Sequence, residues 1–459
     1  MQSTQTHPTQ AMVEKIIQHP SPKVKIAVTD LDGILRGKVV HKDKFFSLLE
    51  KGFGFCDVIF GWDLADQLYE NSSSKAITGW HTGFPDAEAK IAPETFREVP
   101  WDQDTPFFLA DFHSSTTASK VCPRSLLRRI RQKAIDMGFS PMFSQEFEWF
   151  NFSETPESLR EKRYQHLQPM TPGMFGYSIL RSSYKNAFFN QLYDEMTLFK
   201  VPLEGLHTET GPGVYEAAIQ VNDILEAADR AVLFKTGVKE IAYQHELIAS
   251  FMARWNNELP GCSGHVHQSL WDIDGQRNLF YEEEDPLHMS SIAKHYLAGL
   301  IYCFGDILPL CAPTTNSYQR LVEGYWAPTK LNWGIDNRTT AFRVLPHGEK
   351  SCRIESRIPG SDTNPYLAMS ACLAAGLYGI ENKIPLEDSL TTGNGYEGQG
   401  KKLPTSLEQA TELFQNSMIA KDLLGEDFVA HYAMTRAWEV SQQNPQDTLW
   451  ELKRYFEII

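Results

Sequence analysis

The chain has 459 residues, of which 42% are hydrophobic, enough for two or three domains with sizeable cores. Its formal net charge of −15 disfavours nucleic acid or an anionic membrane as the main partner. No apolar run approaches the ~20 residues that span a bilayer. Seven scattered cysteines without a C-x-x-C pair argue against a disulfide scaffold and a cysteine zinc site, and they favour a reducing, cytoplasmic compartment.

The N-terminal part is predicted to be a small α+β domain preceded by a tail. Residues 1–20 are polar and lack the basic-then-apolar pattern of a signal peptide, so we expect a flexible tail with a short helix. Strand-like runs at 23–31 and 35–40 flank Asp32-Gly33, a dipeptide typical of a tight turn between strands. We expect this domain to cover residues 21–115.

The second part, predicted as a larger domain at residues 120–459, carries carboxylates in suggestive positions. Glu146 and Glu148 alternate in a strand-like run, so both side chains lie on one face of a strand. Glu209 and Glu216 flank a Gly-Pro-Gly bend that can fold them toward one point. Carboxylates grouped in this way are costly unless a cation neutralises them, although an exposed strand face is an alternative.

Two further segments repeat the same alternation. His265 and His267 share one face of a predicted strand, a pattern that alone is only weak evidence for a ligand site. Arg353, Glu355 and Arg357 place cation, anion and cation on one face, which suits a metal-bound phosphoryl group. A solvated edge strand with an in-line salt bridge is the alternative for this segment.

Taken together, these segments supply a mainly oxygen ligand set, which favours Mg²⁺ or Mn²⁺ over zinc. The six groups are Glu146, Glu148, Glu209, Glu216, His265 and Glu355. Five arginines accompany them: Arg320, Arg338, Arg343, Arg353 and Arg357. Divalent cations with convergent guanidinium groups are the components of phosphoryl transfer.

Several segments, in this order and spacing, resemble the signature blocks of the glutamine synthetase superfamily. They are Glu-Phe-Glu at 146–148, Glu-Thr-Gly-Pro-Gly-Val-Tyr-Glu at 209–216, His-Val-His-Gln-Ser at 265–269, Asn-Ser-Tyr-Gln-Arg-Leu-Val at 316–322, Asn-Arg at 337–338 and Arg-Ile-Glu-Ser-Arg at 353–357. The resemblance implies an α+β fold with a small N-terminal β-grasp domain and a larger catalytic domain of the glutamine synthetase type. It also implies ATP as co-substrate and two or more Mg²⁺ or Mn²⁺ ions per site.

The resemblance also implies roles for individual residues. One metal would be held by Glu148, Glu209 and Glu216, and the other, on the nucleotide side, by Glu146, His265 and Glu355. ATP would contact Arg338, Arg343, Arg353, His267 and Ser269. Glutamate would be bound by Arg320 and Arg357, with the loop at Gly264 nearby. Catalysis would involve Arg338, Glu216 and Asp63, with Asp63 reaching the site of an adjacent subunit.

The chain departs from the family pattern at the segment that covers the ammonium site. The family block usually reads Gly-Tyr-Glu-Ala-Pro, whereas here Trp326 replaces the glutamate. An indole offers a cation–π face worth ~0.5–2 kcal/mol together with apolar contact, which favours an organic amine over ammonium. Val214 stands where the family often has Gln, the family's asparagine is missing from the loop before His265, and Tyr177 is expected to line the same pocket.

The whole pattern is similar to the glutamate–amine ligases of the superfamily. It implies an ATP-dependent ligase that joins the γ-carboxylate of glutamate to a small organic monoamine through γ-glutamyl phosphate. The alternatives are a glutamine synthetase that uses ammonia and a non-catalytic assembly protein of the same fold. The resemblance further implies a homo-oligomeric ring, a dodecamer or decamer, with active sites between subunits.

Overall fold

The computed structural model describes residues 8–71, 76–387 and 389–459. The elements of the N-terminal part are α1 (Pro8–Gln18), β1 (Lys23–Thr29), β2 (Leu35–His41), α2 (Lys42–Lys51), β3 (Phe53–Cys56), β4 (Asp86–Ile91), β5 (Arg97–Val99) and β6 (Thr105–Phe112). The strands form one six-stranded sheet in the order β2-β1-β6-β4-β3, with β5 on β6. Strands β1 and β2 form the hairpin that the turn signal predicted.

Helix α1 packs on this sheet through two apolar side chains. Ile16 is fully buried and Met12 is 7% exposed. Helix α1 is the short helix that we expected within this tail, and these two residues join it to the core. Residues 1–7 lie outside the described residues.

The larger part is built on a nine-stranded sheet in the order β14-β15-β16-β12-β7-β9-β8, with β10 and β11 also on β7. Its strands are β7 (Phe139–Phe152), β8 (Leu203–Thr208), β9 (Val214–Ile219), β10 (Asn222–Asp223), β11 (Ile248–Ser250), β12 (Val266–Asp272), β14 (Trp333–Ile335), β15 (Phe342–Leu345) and β16 (Arg353–Ser356). The short strands β13 (Lys330–Leu331) and β17 (Lys401–Lys402) pair with each other. The sheet thus joins segments that are up to 217 residues apart in the chain.

Helices supply the rest of this part. They are α3 (Pro123–Asp136), α4 (Pro156–Glu161), α5 (Ile179–Tyr184), α6 (Asn186–Leu198), α7 (Ile224–Gln244), α8 (Ser291–Ile307), α9 (Ser317–Arg320), α10 (Pro365–Glu381), α11 (Leu407–Asn416), α12 (Met418–Leu424), α13 (Glu426–Ser441) and α14 (Trp450–Tyr455). In the described ranges, none of the helices is long and apolar enough to cross a membrane.

Strand β7 places its alternating side chains on two different faces. Phe147 and Trp149 are fully buried, and both rings contact Phe234 of α7. The intervening Glu146 and Glu148 therefore lie on the opposite face, as the alternation predicts. The aromatic face fixes the strand against the helices, and the carboxylate face is left to form a site.

Buried polar contacts tie the N-terminal sheet to the larger part. Arg436 of α13 bonds to Asp32 in the β1–β2 turn at 2.8 Å, and both side chains are almost fully buried. The side-chain amide of Asn364 donates to the backbone carbonyls of Asp30 and Leu31. The turn between β1 and β2 is thus anchored by residues that lie more than 300 positions later in the chain. The division into domains at 21–115 and 120–459 stays a prediction.

Candidate active site

A cavity of about 460 Å³ opens on the carboxylate face of β7 and β9. Its walls combine acidic, cationic and aromatic side chains. The acidic and imidazole groups are Glu146, Glu148, Glu209, Glu216 and His265, and the arginines are Arg320, Arg338 and Arg357. Residues from strands, bends and loops that are far apart in the chain, and that sequence patterns singled out separately, are here brought into one cavity.

The carboxylates of this cavity raise one another's proton affinity. Burial, together with the charges of Glu146, Glu148 and Glu209, raises the pKa of Glu216 to about 10. Burial likewise raises the pKa of Glu148 to about 7, although the backbone N–H of Ser263 donates to this carboxylate at 2.5 Å. Oε2 of Glu209 is buried and accepts no hydrogen bond from any described residue. A cation in this cavity would relieve all of these costs.

On one side of the cluster, three predicted ligand atoms converge. Nδ1 of His265 lies 2.8 Å from Oε1 of Glu146 and 3.3 Å from Oε1 of Glu355. Neighbouring ligands of an octahedral cation at about 2.1 Å lie about 3 Å apart, so this spacing suits a small divalent ion. Burial lowers the pKa of His265 to about 4, so the ring is neutral near pH 7, as a ligand must be.

The partners of Glu146 and Glu355 keep both groups ionised. Burial opposes ionisation of Glu146, but hydrogen bonds with His265 and His267 outweigh it and hold its pKa well below the ordinary value. Glu355 is fully buried, and Arg357 with other neighbouring charges overcomes that burial and lowers its pKa to about 2. The structure also brings ligand atoms of Glu146, His267 and Glu355 within 4.8 Å of one another, so His267 is a further potential ligand.

On the other side, the structure groups His207, Glu209 and Glu216, with ligand atoms within 4.8 Å of one another. Nε2 of His207 lies 3.7 Å from Oε1 of Glu216. The sequence interpretation missed His207 and placed Glu148 here. The available signal was its position two residues before Glu209, which predicts a shared strand face.

A second cavity of about 320 Å³ shares Glu146 with the first. His267, Ser269 and Arg353, all predicted to contact ATP, line it. Nε of Arg353 donates to Nδ1 of His267 at 3.2 Å, and Nε2 of the same ring lies 3.4 Å from Oε2 of Glu146. The two cavities therefore meet at Glu146, beside the carboxylate cluster.

The predicted arginines differ in what they can bind. Arg338 is exposed and lines the first cavity, where its charge acts on Tyr177. Arg320 and Arg357 also line it; Arg320 is held by two backbone carbonyls, and Nε of Arg357 is buried without a partner in the described chain. Arg343 lines neither cavity described above.

Arg343 instead supports a carboxylate of the cluster. Its guanidinium group bonds to Glu355 at 2.7 Å and to Asp336 at 2.9 Å. In this structure Arg343 therefore supports Glu355, and the contact to ATP that the resemblance implied stays a prediction. Arg353 keeps the predicted position at the second cavity.

Aromatic and apolar groups form the remaining wall of the first cavity. Trp326 lies in a hydrogen-bonded turn with a φ of 64° and is 57% exposed. Tyr325 lies beside it, and Val214 and Pro260 add apolar surface. Tyr177, predicted to line the pocket, does so, and its ring lies 4.6 Å from that of His207. This wall offers aromatic faces where the family pattern has a carboxylate.

Two predicted site residues lie elsewhere. Asp63 is 2% exposed, and its carboxylate accepts hydrogen bonds from Trp438 and Arg454, which lower its pKa against the effect of burial. These bonds hold the carboxylate against its own chain, and the catalytic role of Asp63 at the site of an adjacent subunit stays a prediction. Gly264 packs against the chain at Gly360, where a Cβ would meet the carbonyl oxygen at 2.5 Å. It is required for close packing and does not line the cavity.

Comparisons with known proteins agree with this geometry. The family described as "Glutamine synthetase, catalytic domain" matches residues 120–455. The chain is 51% identical over 444 residues to a type-1 glutamine synthetase 2 of Dictyostelium discoideum, covering 96% of this chain and 84% of that protein. It is 35% identical to a glutamate–isopropylamine ligase of Pseudomonas sp, covering 97% of each chain. It is also 35% identical to a gamma-glutamylethanolamide synthetase of Streptomyces coelicolor, covering 95% of this chain and 92% of that protein.

A solved structure resembles the whole chain as well. A GmaS complex with ADP matches with a TM-score of 0.82 at 25% identity, and the match covers 96% of this chain and 98% of that chain. The α+β architecture predicted from the sequence is thereby confirmed.

Proposed function

The chain belongs to the glutamine synthetase family of ligases, and on that premise we propose that it joins the γ-carboxylate of glutamate to a small organic monoamine at the expense of ATP. The observation that carries this proposal is the aromatic wall at Trp326, beside a cavity that holds grouped carboxylates and arginines. A metal cluster and phosphate-binding arginines alone support any ligase of this family. The wall bears on which nitrogen nucleophile is used.

The two cavities support a reaction in two steps. In the first step, a γ-carboxylate oxygen of glutamate attacks the terminal phosphorus of ATP, which forms γ-glutamyl phosphate and releases ADP. Arg320 and Arg357 are positioned to bind the charged groups of glutamate, and Arg353 to bind phosphate oxygens from the second cavity. Arg338, exposed at the first cavity, can stabilise the phosphoryl group during transfer.

In the second step, the amine nitrogen attacks the carbonyl carbon of the γ-glutamyl phosphate, and the bond from that carbon to the phosphate oxygen breaks. The nitrogen loses a proton, which the departing phosphate can take up. The role of Asp63 in this transfer, at the site of an adjacent subunit, stays a prediction. The aromatic wall formed by Tyr177, Tyr325 and Trp326 can exclude water from the acyl phosphate while an alkyl group packs against it.

The carboxylate cluster fits the divalent ions that the family requires. We propose that Glu146, His265 and Glu355 hold one ion, and that Glu209 and Glu216 hold another, with Glu148 and His207 as the remaining groups beside it. The raised pKa of Glu216 and the unpartnered oxygen of Glu209 support this assignment. Bound Mg²⁺ or Mn²⁺ would neutralise the phosphate oxygens and act as a Lewis acid.

Glutamine synthesis from ammonia is the second candidate function. The observation in its favour is the type-1 glutamine synthetase 2 of Dictyostelium discoideum, which is 51% identical to this chain, whereas the two amine ligases are each 35% identical. On this alternative, Trp326 would cover the ammonia site without contributing a charge.

An amine panel separates the two functions. Phosphate release from ATP is measured with glutamate and Mg²⁺, comparing ammonium with methylamine, isopropylamine, ethanolamine and putrescine. We expect one organic amine to give a kcat/KM at least about tenfold above ammonium, the ratio that 1.4 kcal/mol provides. A preference for ammonium would establish the second candidate instead. Silence with every nucleophile would favour a non-catalytic assembly protein.

A pair of variants tests the aromatic wall directly. Trp326→Glu restores the family's carboxylate and is expected to increase the use of ammonium and weaken that of the organic amine. Trp326→Phe keeps an aromatic face and serves as the matched control, with the amine preference retained. If Trp326→Glu leaves the ratio of the two nucleophiles unchanged, the wall does not select the amine.

We further propose a cytoplasmic homo-oligomeric ring, a dodecamer or decamer with sites between subunits. All seven cysteines are free thiols, which supports a reducing compartment. Exposed apolar side chains near the site, including Ile179 at 82% and Leu180 at 81% exposure, support burial against another copy. Light scattering coupled to size-exclusion chromatography would give the number of subunits.

A further inference from the structure

The turn that carries Trp326 is held against the rest of the protein at two places. On one side, the ring of Tyr325 stacks under the guanidinium group of Arg254 at 4.1 Å. Arg254 is itself fixed by hydrogen bonds to three backbone carbonyls. This stacking orients Tyr325 but does not constrain the next residue, Trp326, whose backbone adopts the left-handed region and whose side chain is largely exposed.

On the other side, the loop at 391–398 lies against the turn. Nζ of Lys330, just after the turn, donates to the carbonyls of Tyr396 at 2.6 Å and Gly398 at 3.0 Å. The side-chain amide of Asn332 donates to the carbonyl of Gly395 at 2.9 Å. The backbone of the loop is therefore fixed relative to the segment that continues from the turn.

Within this fixed loop, the hydroxyl group of Tyr396 points back toward the turn. The oxygen is buried and has no hydrogen-bond partner among the residues that the structure describes. Burial raises the pKa of Tyr396, and the nearby backbone N–H groups of Gly324 and Trp326 oppose that rise. A buried hydroxyl without a partner is costly, so a small closing movement of the turn that gives it an amide donor is favourable.

We propose that Tyr396 is a positioning residue for amine selection: its hydroxyl group accepts a hydrogen bond from the 323–327 turn and so holds Trp326 over the cavity. Tyr396 does not line the cavity and need not touch the amine. The inference rests on the proposed function for its effect on catalysis, and on the geometry alone for its effect on the turn. Pinning a turn from both sides orders the aromatic wall before the amine arrives, which lowers the entropic cost of binding.

The test uses Tyr396→Phe, which removes only the hydroxyl group, and two readouts. The first is amide hydrogen exchange of the full-length enzyme without substrates, followed in peptides that cover residues 320–330. We expect exchange in the turn to become about two- to tenfold faster, the factor that loss of one hydrogen bond gives. Tyr302→Phe is the matched control, because Tyr302 is an exposed tyrosine of α8 that lines neither of the two cavities.

The second readout is kinetic and depends on the proposed function. With Tyr396→Phe, the KM of the preferred amine is expected to rise about two- to tenfold while the KM values of glutamate and ATP change less than about twofold. In a Trp326→Ala background, the same substitution should have no further effect on the amine KM, since the residue that it positions is gone. A further increase in that background would show that Tyr396 acts by another route.

The two readouts distinguish the failure of this inference from the failure of the proposed function. If no organic amine is a substrate but Tyr396→Phe speeds exchange in the turn, the contact exists and the amine ligase proposal is wrong. If exchange in the turn equals that of the parent enzyme, the positioning role is overturned, whatever the kinetics.

Discussion

Replacement of Glu216 by glutamine should stabilise the metal-free protein while weakening its hold on metal. In the folded protein, burial and three neighbouring carboxylates raise the pKa of Glu216 from 4.5 to about 10. Between pH 4.5 and pH 7 the unfolded chain releases a proton that the folded protein keeps, which costs about 1.4 kcal/mol per pH unit. The folded protein therefore loses about 3 kcal/mol at pH 7, and glutamine removes this loss.

The sign of the pH dependence follows from the same linkage. A carboxyl group whose folded pKa is raised destabilises the folded state above its unfolded pKa, and the cost grows until the pH reaches the folded pKa. The advantage of Glu216→Gln should thus be absent near pH 4.5 and should increase steadily up to pH 8. With saturating Mn²⁺ the order should reverse, because the ionised carboxylate binds the cation and the amide does so poorly.

Thermal unfolding in EDTA and in Mn²⁺, at several pH values, measures both effects on the assembled enzyme. Glu412→Gln is the matched control, since Glu412 is an exposed glutamate of α11. This variant should have the same melting temperature as the parent enzyme. If metal-free Glu216→Gln melts at or below the parent temperature at pH 8, the carboxylates do not destabilise one another. The argument for a cation between them would then fail.

Three other changes probe separate parts of the structure. His207→Ala should weaken Mn²⁺ binding about tenfold or more in calorimetric titrations. An unchanged affinity would show that His207 does not contribute to metal binding. Gly264→Ala forces a Cβ against the carbonyl of Gly360 and should lower the free energy of unfolding by about 1–3 kcal/mol in urea melts; parent-like melting would contradict the close packing. Arg436→Met leaves Asp32 buried and unpaired, at a cost of about 3–5 kcal/mol. Adding Asp32→Asn should recover part of that loss, and no recovery would mean that the pair does not account for it.

The sequence by itself determined which face of each strand bears the chemistry. The alternation of Glu146 with Glu148, and of Arg353 with Glu355, predicted their shared faces, and the structure has them there. This inference succeeds because the two-residue repeat of a strand is a local property of the backbone. The spacing of these short segments along the chain also identified the family, and that identification is confirmed by the match to residues 120–455.

Only the tertiary structure decided which groups are free to act. Asp63 sits in a plausible loop, yet Arg454, 391 residues later, occupies its carboxylate. Arg343 is similarly committed to Glu355. His207 joins the carboxylate cluster because β8 pairs with β9 in a register that sets it opposite Glu216. Strand register, burial and long-range partners arise from contacts between distant segments, and no local pattern contains them.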